Sequence, residues 1–485
     1  MKSIVAKALA VAAAMTLAAC AVQPETHADL PQTVKTVAPD AWSVDAPKDT
    51  VNADQWWSQF GDPTMHKLVD IVLNDNLDVK AAVERVKQAQ EVTKQQRAAL
   101  APQLDAGATA AYERQNTPPP LGYVKQAGFG LTASWQPDVF GGERLAVLAA
   151  QAQATGRQSA LNELRLALAA NTAAAYIDLR WAQSQLQIVN DNEEIRGRAL
   201  KLTQQRLKYG LSTQLDVARA QNQLQDLQAQ LPKIQSNIQH DMSLIAVLSG
   251  RTPESVDGLL LSEARPIPVP SQSVPQTLPS EALLRRPDVR TAYASVEQRA
   301  AEVGVARADR YPKFNLSLSD GILASSYLGL PTLTDNLFSA ALNATSPIFN
   351  AGRITAHIEQ NESRMRESQL GLQQTMLNAL KDIEDTRSDL VNGGTQVEKL
   401  GGSLDSSSKA LRLSTELYKG GASSFLDVLD AQEAYLRDAE ALNQAKREHA
   451  QAAVALYRSL GGGWDAPPVN SDVAKTKASA DVASN

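Results

Sequence analysis

The chain has 485 residues, a formal net charge of −6 and only 5% aromatic residues. Its Lys and Arg residues form no basic stripe, which argues against nucleic acid as a partner. Long stretches of Ala, Gln, Leu and charged residues are typical of long helices rather than of a compact enzyme.

The first residues have the pattern of an export signal. Lys2 and Lys7 precede an apolar run, and Leu17-Ala18-Ala19 leads directly to Cys20, the only cysteine of the chain. A charged start, an apolar segment and a small-residue cleavage site predict a signal peptide over residues 1–19. An ordinary secretory leader with a chance cysteine is the alternative interpretation.

An N-terminal arm is predicted over residues 20–62. Its Pro, Thr, Asp and Ala residues show no periodicity up to residue 53, which predicts an extended course. Trp56 and Trp57 are expected to pack this arm against the body of the protein rather than to bind a ligand.

Two helices and a hairpin follow the arm. Apolar spacing predicts a helix that begins at Pro63 and a longer one over residues 78–100. Between Pro102 and Pro137 apolar and polar residues alternate instead, which predicts two strands. A lipid-facing hairpin and a half-buried hairpin of a soluble protein both produce this pattern.

Helical spacing then continues without proline from Gly142 to about Tyr209. A helix of about 65 residues is on the order of 100 Å long, more than a globular domain of this size needs. Residues 210–213 predict a reversal of the chain. A return helix over residues 214–249 is expected to bend at Pro232.

The same order of elements recurs after a proline-rich linker over residues 251–279. Arg285 and Arg286 begin the next helix and are interpreted as surface or interdomain contacts. Gly393-Gly394 and Gly401-Gly402 predict a break or bulge in the second long helix, because each glycine costs about 1 kcal/mol relative to alanine. Residues 464–485 are predicted to be a disordered tail.

The repetition is clearest at two turns that share a glycine, a hydroxyl pair, Leu-Asp-Val and Ala-Gln. Asp216 matches Asp427 and Gly210 matches Gly421, both 211 residues apart. The chain is therefore interpreted as a tandem duplication, with one repeat over residues 63–250 and the other over residues 280–463.

Two hairpins supply four strands, which are too few to close a cylinder. An open strand edge in lipid leaves backbone groups unpaired at several kcal/mol each. No stretch after the leader has the about 20 apolar residues of a membrane-spanning helix. If the chain spans a membrane, several copies must therefore pool their strands, and three copies supply twelve.

Motifs for catalysis or metal binding are absent from the sequence. The five histidines are scattered without ligand spacing, and there is no second thiol. No serine elbow, phosphate loop or dinucleotide fingerprint occurs. The sequence predicts no enzyme, no metal site and no cofactor.

Several of these motifs together resemble the TolC-like outer membrane factors, most closely the lipoprotein branch of NodT/OprM-type efflux components. The resemblance implies a mainly α fold with a β-barrel portion. Long helical hairpins would form a periplasmic tunnel, and four transmembrane strands per protomer would give a 12-stranded barrel in a homotrimer. The motifs are the leader with Cys20, Trp56-Trp57 with Gly61-Asp62-Pro63, Leu284 to Asp288, Pro347-Ile348-Phe349 with Gly352-Arg353, and the paired turns.

The resemblance also implies a location and partners. Cys20 would be acylated, and Ala21 after it would direct the chain to outer membrane lipid. A periplasmic adaptor and an inner-membrane pump, of RND type, would dock below. The implied function is a passive exit duct for small toxic compounds. A duct for protein secretion and a non-conducting, lipid-anchored coiled-coil scaffold are the alternatives.

In this family the paired turns form the periplasmic tip. Asp427 and Asp430 would form a constricting acidic ring, and Tyr418 and Asp216 match positions that hold neighbouring helices closed. Ser423 stands where TolC has an arginine, so the latch is expected to differ. Stabilisation of the helix dipole is the alternative role of the ring acids. The adaptor is expected to dock on the turns at Gly210, Leu211, Ser212, Gly420, Gly421, Ala422 and Ser423.

Overall fold

The structure is a computed structural model. It describes residues 22–27, 29–43, 48–49, 55–115, 122–255, 261, 263–269, 274–275, 277–327 and 332–462. The chain divides into two compact units, and each takes segments from both repeats. One unit is built mainly from Glu84–Gln158 and Thr291–Gln373, and the other from Leu30–Val83, Ser159–Arg290 and Gln374 onward.

The first unit carries a four-stranded antiparallel sheet in the order β2-β3-β5-β6. The two hairpins predicted from alternation are thus present and lie side by side through the β3–β5 pair. The strands of this sheet are β2 (Gln103–Gln115), β3 (Gly122–Trp135), β5 (Lys313–Tyr327) and β6 (Leu333–Thr345). Two short strands, β1 (Lys48–Asp49) and β4 (Val274–Pro275), pair in parallel in a separate sheet.

The register of this sheet places most of the large apolar residues of the four strands on one face, whereas Leu323, Leu333 and Leu337 lie on the other. Ala108 lies opposite Phe129, and Phe129 lies opposite Ile322. Leu316 lies opposite Leu342 in the last pair. Phe129, Ile322 and Leu342 are all exposed in the single chain. The sheet therefore presents an uncovered apolar face, with the alternation that the sequence predicts.

Helices make up most of the remaining chain, and their order repeats. The helices are α1 (Leu30–Val37), α2 (Pro63–Asp75), α3 (Leu77–Ala98), α4 (Gly142–Lys208), α5 (Gln214–Gln228), α6 (Leu231–Leu248), α7 (Pro279–Arg285), α8 (Pro287–Ala308), α9 (Arg353–Lys419) and α10 (Phe425–Ser459). Within the described residues, no helix combines the length and the apolar character needed to cross a membrane.

The predicted break or bulge at the glycine pairs is wrong, because α9 runs as one α-helix through both pairs. A Cβ on Gly393 would lie 3.3 Å from His449 Nδ1, and one on Gly394 would lie 3.4 Å from His449 Cε1. The first pair therefore makes room for the imidazole of α10. Nothing in the structure explains Gly401 and Gly402, whose Cβ positions meet no atom within 4 Å.

Three other expectations are corrected. The arm is not extended throughout, because α1 forms and buries Leu30 and Val34. The return helix is interrupted rather than bent, with α5 ending at Gln228 and α6 beginning at Leu231. Of the two arginines interpreted as surface or interdomain contacts, Arg285 is exposed, whereas Arg286 is buried and donates hydrogen bonds to Asp288 and to the Ser459 carbonyl at the end of α10.

The arm is held to the second unit by aromatic packing. Trp56 is 1% exposed and stacks on Tyr457 of α10, with ring centroids 5.6 Å apart. Trp57 and Phe60 are buried in the same core cluster. The prediction that these tryptophans pack the arm against the body is confirmed.

Candidate functional site at the paired turns

The first turn joins α4 to α5 through a left-handed glycine. Gly210 has a φ of 73°, a conformation that glycine adopts without the steric cost of a Cβ. Leu211 N donates to Arg206 O at 2.8 Å, and Gly210 N donates to Leu207 O at 2.9 Å. These bonds satisfy carbonyls that the end of α4 would otherwise leave unpaired.

The second turn, between α9 and α10, repeats this geometry. Gly421 has a φ of 76°. Ala422 N donates to Leu417 O at 2.9 Å, and Gly421 N donates to Tyr418 O at 3.1 Å. The match found in the sequence is therefore also a match of backbone hydrogen bonds.

Asp216 belongs to the cap of α5. Its Oδ2 accepts hydrogen bonds from Thr213 N at 3.0 Å, Thr213 Oγ1 at 2.7 Å and Ser212 Oγ at 3.1 Å. Partial burial disfavours the charged form, but these hydrogen bonds outweigh it and lower the pKa of Asp216. Within the described chain Asp216 thus orders its own turn, and its carboxylate accepts no hydrogen bond from the Tyr418 hydroxyl.

Asp427 has the same role at α10. Its Oδ2 accepts from Ser424 N at 2.8 Å and from Ser424 Oγ at 2.9 Å, which completes a capping box. Two alternative roles are predicted for Asp427, in an acidic ring or at the helix terminus. Its carboxylate does bind the terminus of α10, and an acidic ring would use the same carboxylate. Asp427 and Asp430, which lies one turn further along α10, are both exposed.

Asp430 lines an open groove of about 460 Å³ between α5 and α10. Gln223 Nε2 donates to Glu433 Oε1 at 2.8 Å across this groove. The groove therefore carries negative charge beside the turn. Its other lining residues are Ala218, Arg219, Asn222, Leu426 and Leu429.

Tyr418 is bound by an arginine that sequence reasoning missed. The Arg206 guanidinium lies 4.7 Å from the Tyr418 ring centroid, and its Nη1 donates to the Tyr418 carbonyl at 2.8 Å. Tyr418 also packs against Phe425. Within the described chain the buried Tyr418 hydroxyl and the Ser423 hydroxyl have no hydrogen-bond partner. Arg206, rather than residue 423, thus provides a cation to Tyr418.

The turns expose apolar side chains. Tyr209 is 81% exposed and Leu211 is 64% exposed. Gly420, Gly421 and Ala422 are also exposed, while Ser212 and Ser423 are half-buried. Tyr209 was not among the predicted docking residues, although its place beside Gly210 is a sequence signal for exposure.

Comparison with protein families gives one family over both repeats. The family described as outer membrane efflux protein matches residues 68–251 and 278–462. The chain belongs to the outer membrane efflux protein family. Its fold of duplicated helical hairpins with strand pairs is therefore the fold of that family's channels.

Individual relatives agree with this membership. The pyoverdine export outer membrane protein OpmQ of Pseudomonas aeruginosa is 30% identical, covering 88% of this chain and 91% of the relative. Nodulation protein T of Rhizobium leguminosarum bv. trifolii is 27% identical, covering 84% of this chain and 88% of the relative. The structure of the outer-membrane channel OprN superposes with a TM-score of 0.81 at 29% identity, covering 88% of this chain and 97% of that one.

The chain is an outer membrane exit duct of an efflux system, as its family membership shows. This result favours the duct over the non-conducting scaffold. The resemblance stated from the sequence is confirmed. Cys20, the signal peptide over residues 1–19 and the predicted tail over residues 464–485 lie outside the described residues.

Proposed function

We propose that three copies of this chain form a passive duct that carries small toxic compounds out of the cell. A periplasmic adaptor and an inner-membrane pump of RND type would supply the compounds and the energy, so the chain itself catalyses no reaction. The described part of each copy holds one sheet of four strands, with β2 and β6 at its edges, and this sheet supports the trimer. Twelve strands would close a barrel and leave no edge unpaired in lipid.

The duct is closed at the paired turns by Asp430. Its carboxylate is exposed beside the groove of α5 and α10, whereas Asp427 uses its carboxylate to cap α10. Three copies would bring three Asp430 side chains around one opening. Asp427 supports the gate indirectly, because it fixes the helix end from which Asp430 projects.

Single-channel conductance in a planar bilayer tests both parts of the proposal. Asp430→Asn is expected to raise the mean conductance, because it removes charge from the constriction without altering the cap at Asp427. Asp405→Asn, an exposed acid on α9, is the matched control and is expected to leave conductance unchanged. Absence of current from the unmodified protein contradicts the duct, and equal currents from both variants contradict the gate.

The adaptor docks on the exposed residues of the two turns. Tyr209 and Leu211 offer apolar surface, and the glycines of the turns leave space for a partner's hairpin. Leu211→Glu is expected to reduce co-purification of the adaptor at least fivefold. Val269→Glu, at a residue that is 72% exposed in the linker, should have no such effect. Equal losses in both variants contradict docking at the turns.

Acylation of Cys20 is also part of the proposal. Mass spectrometry of the N-terminal peptide is expected to show a diacylglyceryl group and an amide-linked fatty acid on this residue. The Cys20→Ser variant is expected to lose both modifications. An unmodified thiol at the mature N-terminus contradicts the anchor.

A further inference from the structure

Two large apolar side chains stand almost fully exposed in the loop that follows β6. Ile348 is 96% exposed and Phe349 is 90% exposed. Burial of one such side chain contributes about 1.5–3 kcal/mol relative to exposure. A pair exposed in one loop therefore marks a surface that another element covers.

The loop that follows β3 shows how an aromatic residue is covered at the corresponding place. Phe140 stacks on Tyr311, with ring centroids 4.8 Å apart and an interplanar angle of 19°. The strand register explains this contact. Trp135 at the end of β3 pairs with Leu316 of β5. The strands are antiparallel, so Phe140, five residues after Trp135, lies opposite Tyr311, five residues before Leu316. The residues before one strand thus cover the loop after its antiparallel neighbour.

The loop after β6 has no such cover, because in the described sheet β6 pairs with β5 on one side only. The strand order makes β2 and β6 the two edges. Antiparallel pairing of β6 with β2 of a second copy would repeat the β3–β5 relation. The loop after β6 would then lie beside the turn at residues 99–102, which precedes β2.

That turn is suited to receive the loop. It occupies the place of residues 309–312 in the other repeat, 210 residues away. Trp135 Nε1 donates to Leu100 O from the β3 side, while Ala101 and Pro102 are exposed. Where the second repeat offers the large ring of Tyr311, this turn offers the small side chain of Ala101. The smaller residue leaves space for both Ile348 and Phe349.

We infer that Ile348 and Phe349 of one copy pack against the turn at residues 99–102 of the next copy and join the two strand edges there. This inference rests on the proposed trimer and names one contact between its copies. The helices that follow the two loops begin at Gly142 and Arg353, 211 residues apart. Phe349 lies four residues before its helix, whereas Phe140 lies two residues before its own.

Photo-cross-linking of the full-length protein in outer membrane vesicles tests the contact. The photoreactive residue p-benzoylphenylalanine replaces Phe349 in one variant and Phe140 in the matched control. The Phe349 variant is expected to give an adduct of twice the chain mass, and mass spectrometry should map it to residues 97–104. The Phe140 variant is expected to give only adducts within one chain, mapped near Tyr311.

The outcomes separate this contact from the trimer itself. Adducts of Phe349 to lipid alone, or to another part of the chain, overturn the inference when native mass spectrometry in detergent still shows a trimer. A monomer in that measurement overturns the trimer as well. As a second readout, Phe349→Ser is expected to lower the temperature at which the trimer dissociates, and Phe349→Leu is expected to restore it. Equal dissociation temperatures for both variants also overturn the inference.

Discussion

Arg206 and Tyr418 join the two paired turns, although they lie 212 residues apart in the sequence. The guanidinium lies 4.7 Å from the ring centroid and donates to the carbonyls of Tyr418 and Lys419 at 2.8 and 3.3 Å. One side chain of the first repeat thus caps the last turn of α9 in the second. A planar cation can stack and donate at the same time.

Arg206→Ala is expected to loosen the end of α9 and to raise the basal conductance in planar bilayers. The variant removes a cation–π contact of about 0.5–2 kcal/mol and charge-assisted hydrogen bonds of roughly 1.5–3 kcal/mol. Arg206→Lys should resemble Arg206→Ala, because an ammonium group lacks the planar fork. Arg198→Ala, which removes an exposed residue paired with Glu194 on the same helix, is the control. Unchanged conductance in Arg206→Ala would refute this clamp.

Asp216→Ala is expected to weaken the first turn of α5 in a pH-dependent way. The hydrogen bonds that lower the pKa of Asp216 place it below the unfolded value of about 3.9. Its stabilisation is therefore present above that value and is lost as pH falls through the folded pKa. Loss of the cap costs about 1 kcal/mol at pH 7 and less at pH 3.

Hydrogen exchange of residues 214–220, corrected for intrinsic rates, measures this effect. The difference between Asp216→Ala and the unmodified chain should shrink as pH decreases. Asp226→Ala, at an exposed acid on the same helix that accepts from Asn222, is the control. A difference that stays constant with pH would rule out a role for the charged cap.

Asp241→Asn is expected to stabilise the protein at neutral pH. Burial of Asp241, together with the nearby charge of Asp178, raises its pKa to about 6. The unfolded carboxyl ionises near 3.9, so the folded state loses stability as pH rises from about 4 to 6. The amide should therefore raise Tm by roughly 2–4 °C at pH 7.5 and give no gain at pH 4. The same gain at both pH values would contradict this interpretation.

The glycine pairs of α9 should respond in opposite ways to alanine. Gly401→Ala adds a methyl group where no atom lies within 4 Å, so it should stabilise the helix by about 1 kcal/mol. Gly393→Ala places its methyl group 3.3 Å from His449 Nδ1 and should lose that gain or destabilise the helix. Chemical denaturation of the two variants measures the contrast. A stabilising Gly393→Ala would show that His449 does not require the space.

Much of the fold follows from local pattern in the sequence. Period-two alternation located all four strands, and the repeat of Leu-Asp-Val located both turns with their left-handed glycines. The glycine pairs led to a wrong prediction because helix propensity is a local property. The space beside Gly393 and Gly394 is occupied by His449, which belongs to another helix. The helix α1 was missed because only Leu30 and Val34 are buried in its eight residues, which is too few for a visible period.

The candidate site was less predictable than the fold. Asp216 and Asp427 were found as a pair, yet their roles as caps depend on hydroxyl groups three residues earlier in each turn. Arg206 lies outside the repeated motif, because its counterpart 211 residues later is Leu417. No pattern within one repeat relates Arg206 to Tyr418, and only the packing of α4 against α9 brings them together.

The long helices α4 and α9 each contain 67 residues. Each residue of a helix adds 1.5 Å of length and about 100° of rotation. Insertion of a single residue in either helix would therefore shift and rotate its end relative to the other helix. Arg206 would then no longer lie over the Tyr418 ring. Substitutions along these helices should therefore be tolerated more readily than insertions, and an epitope tag is better placed in a connecting segment such as residues 251–255.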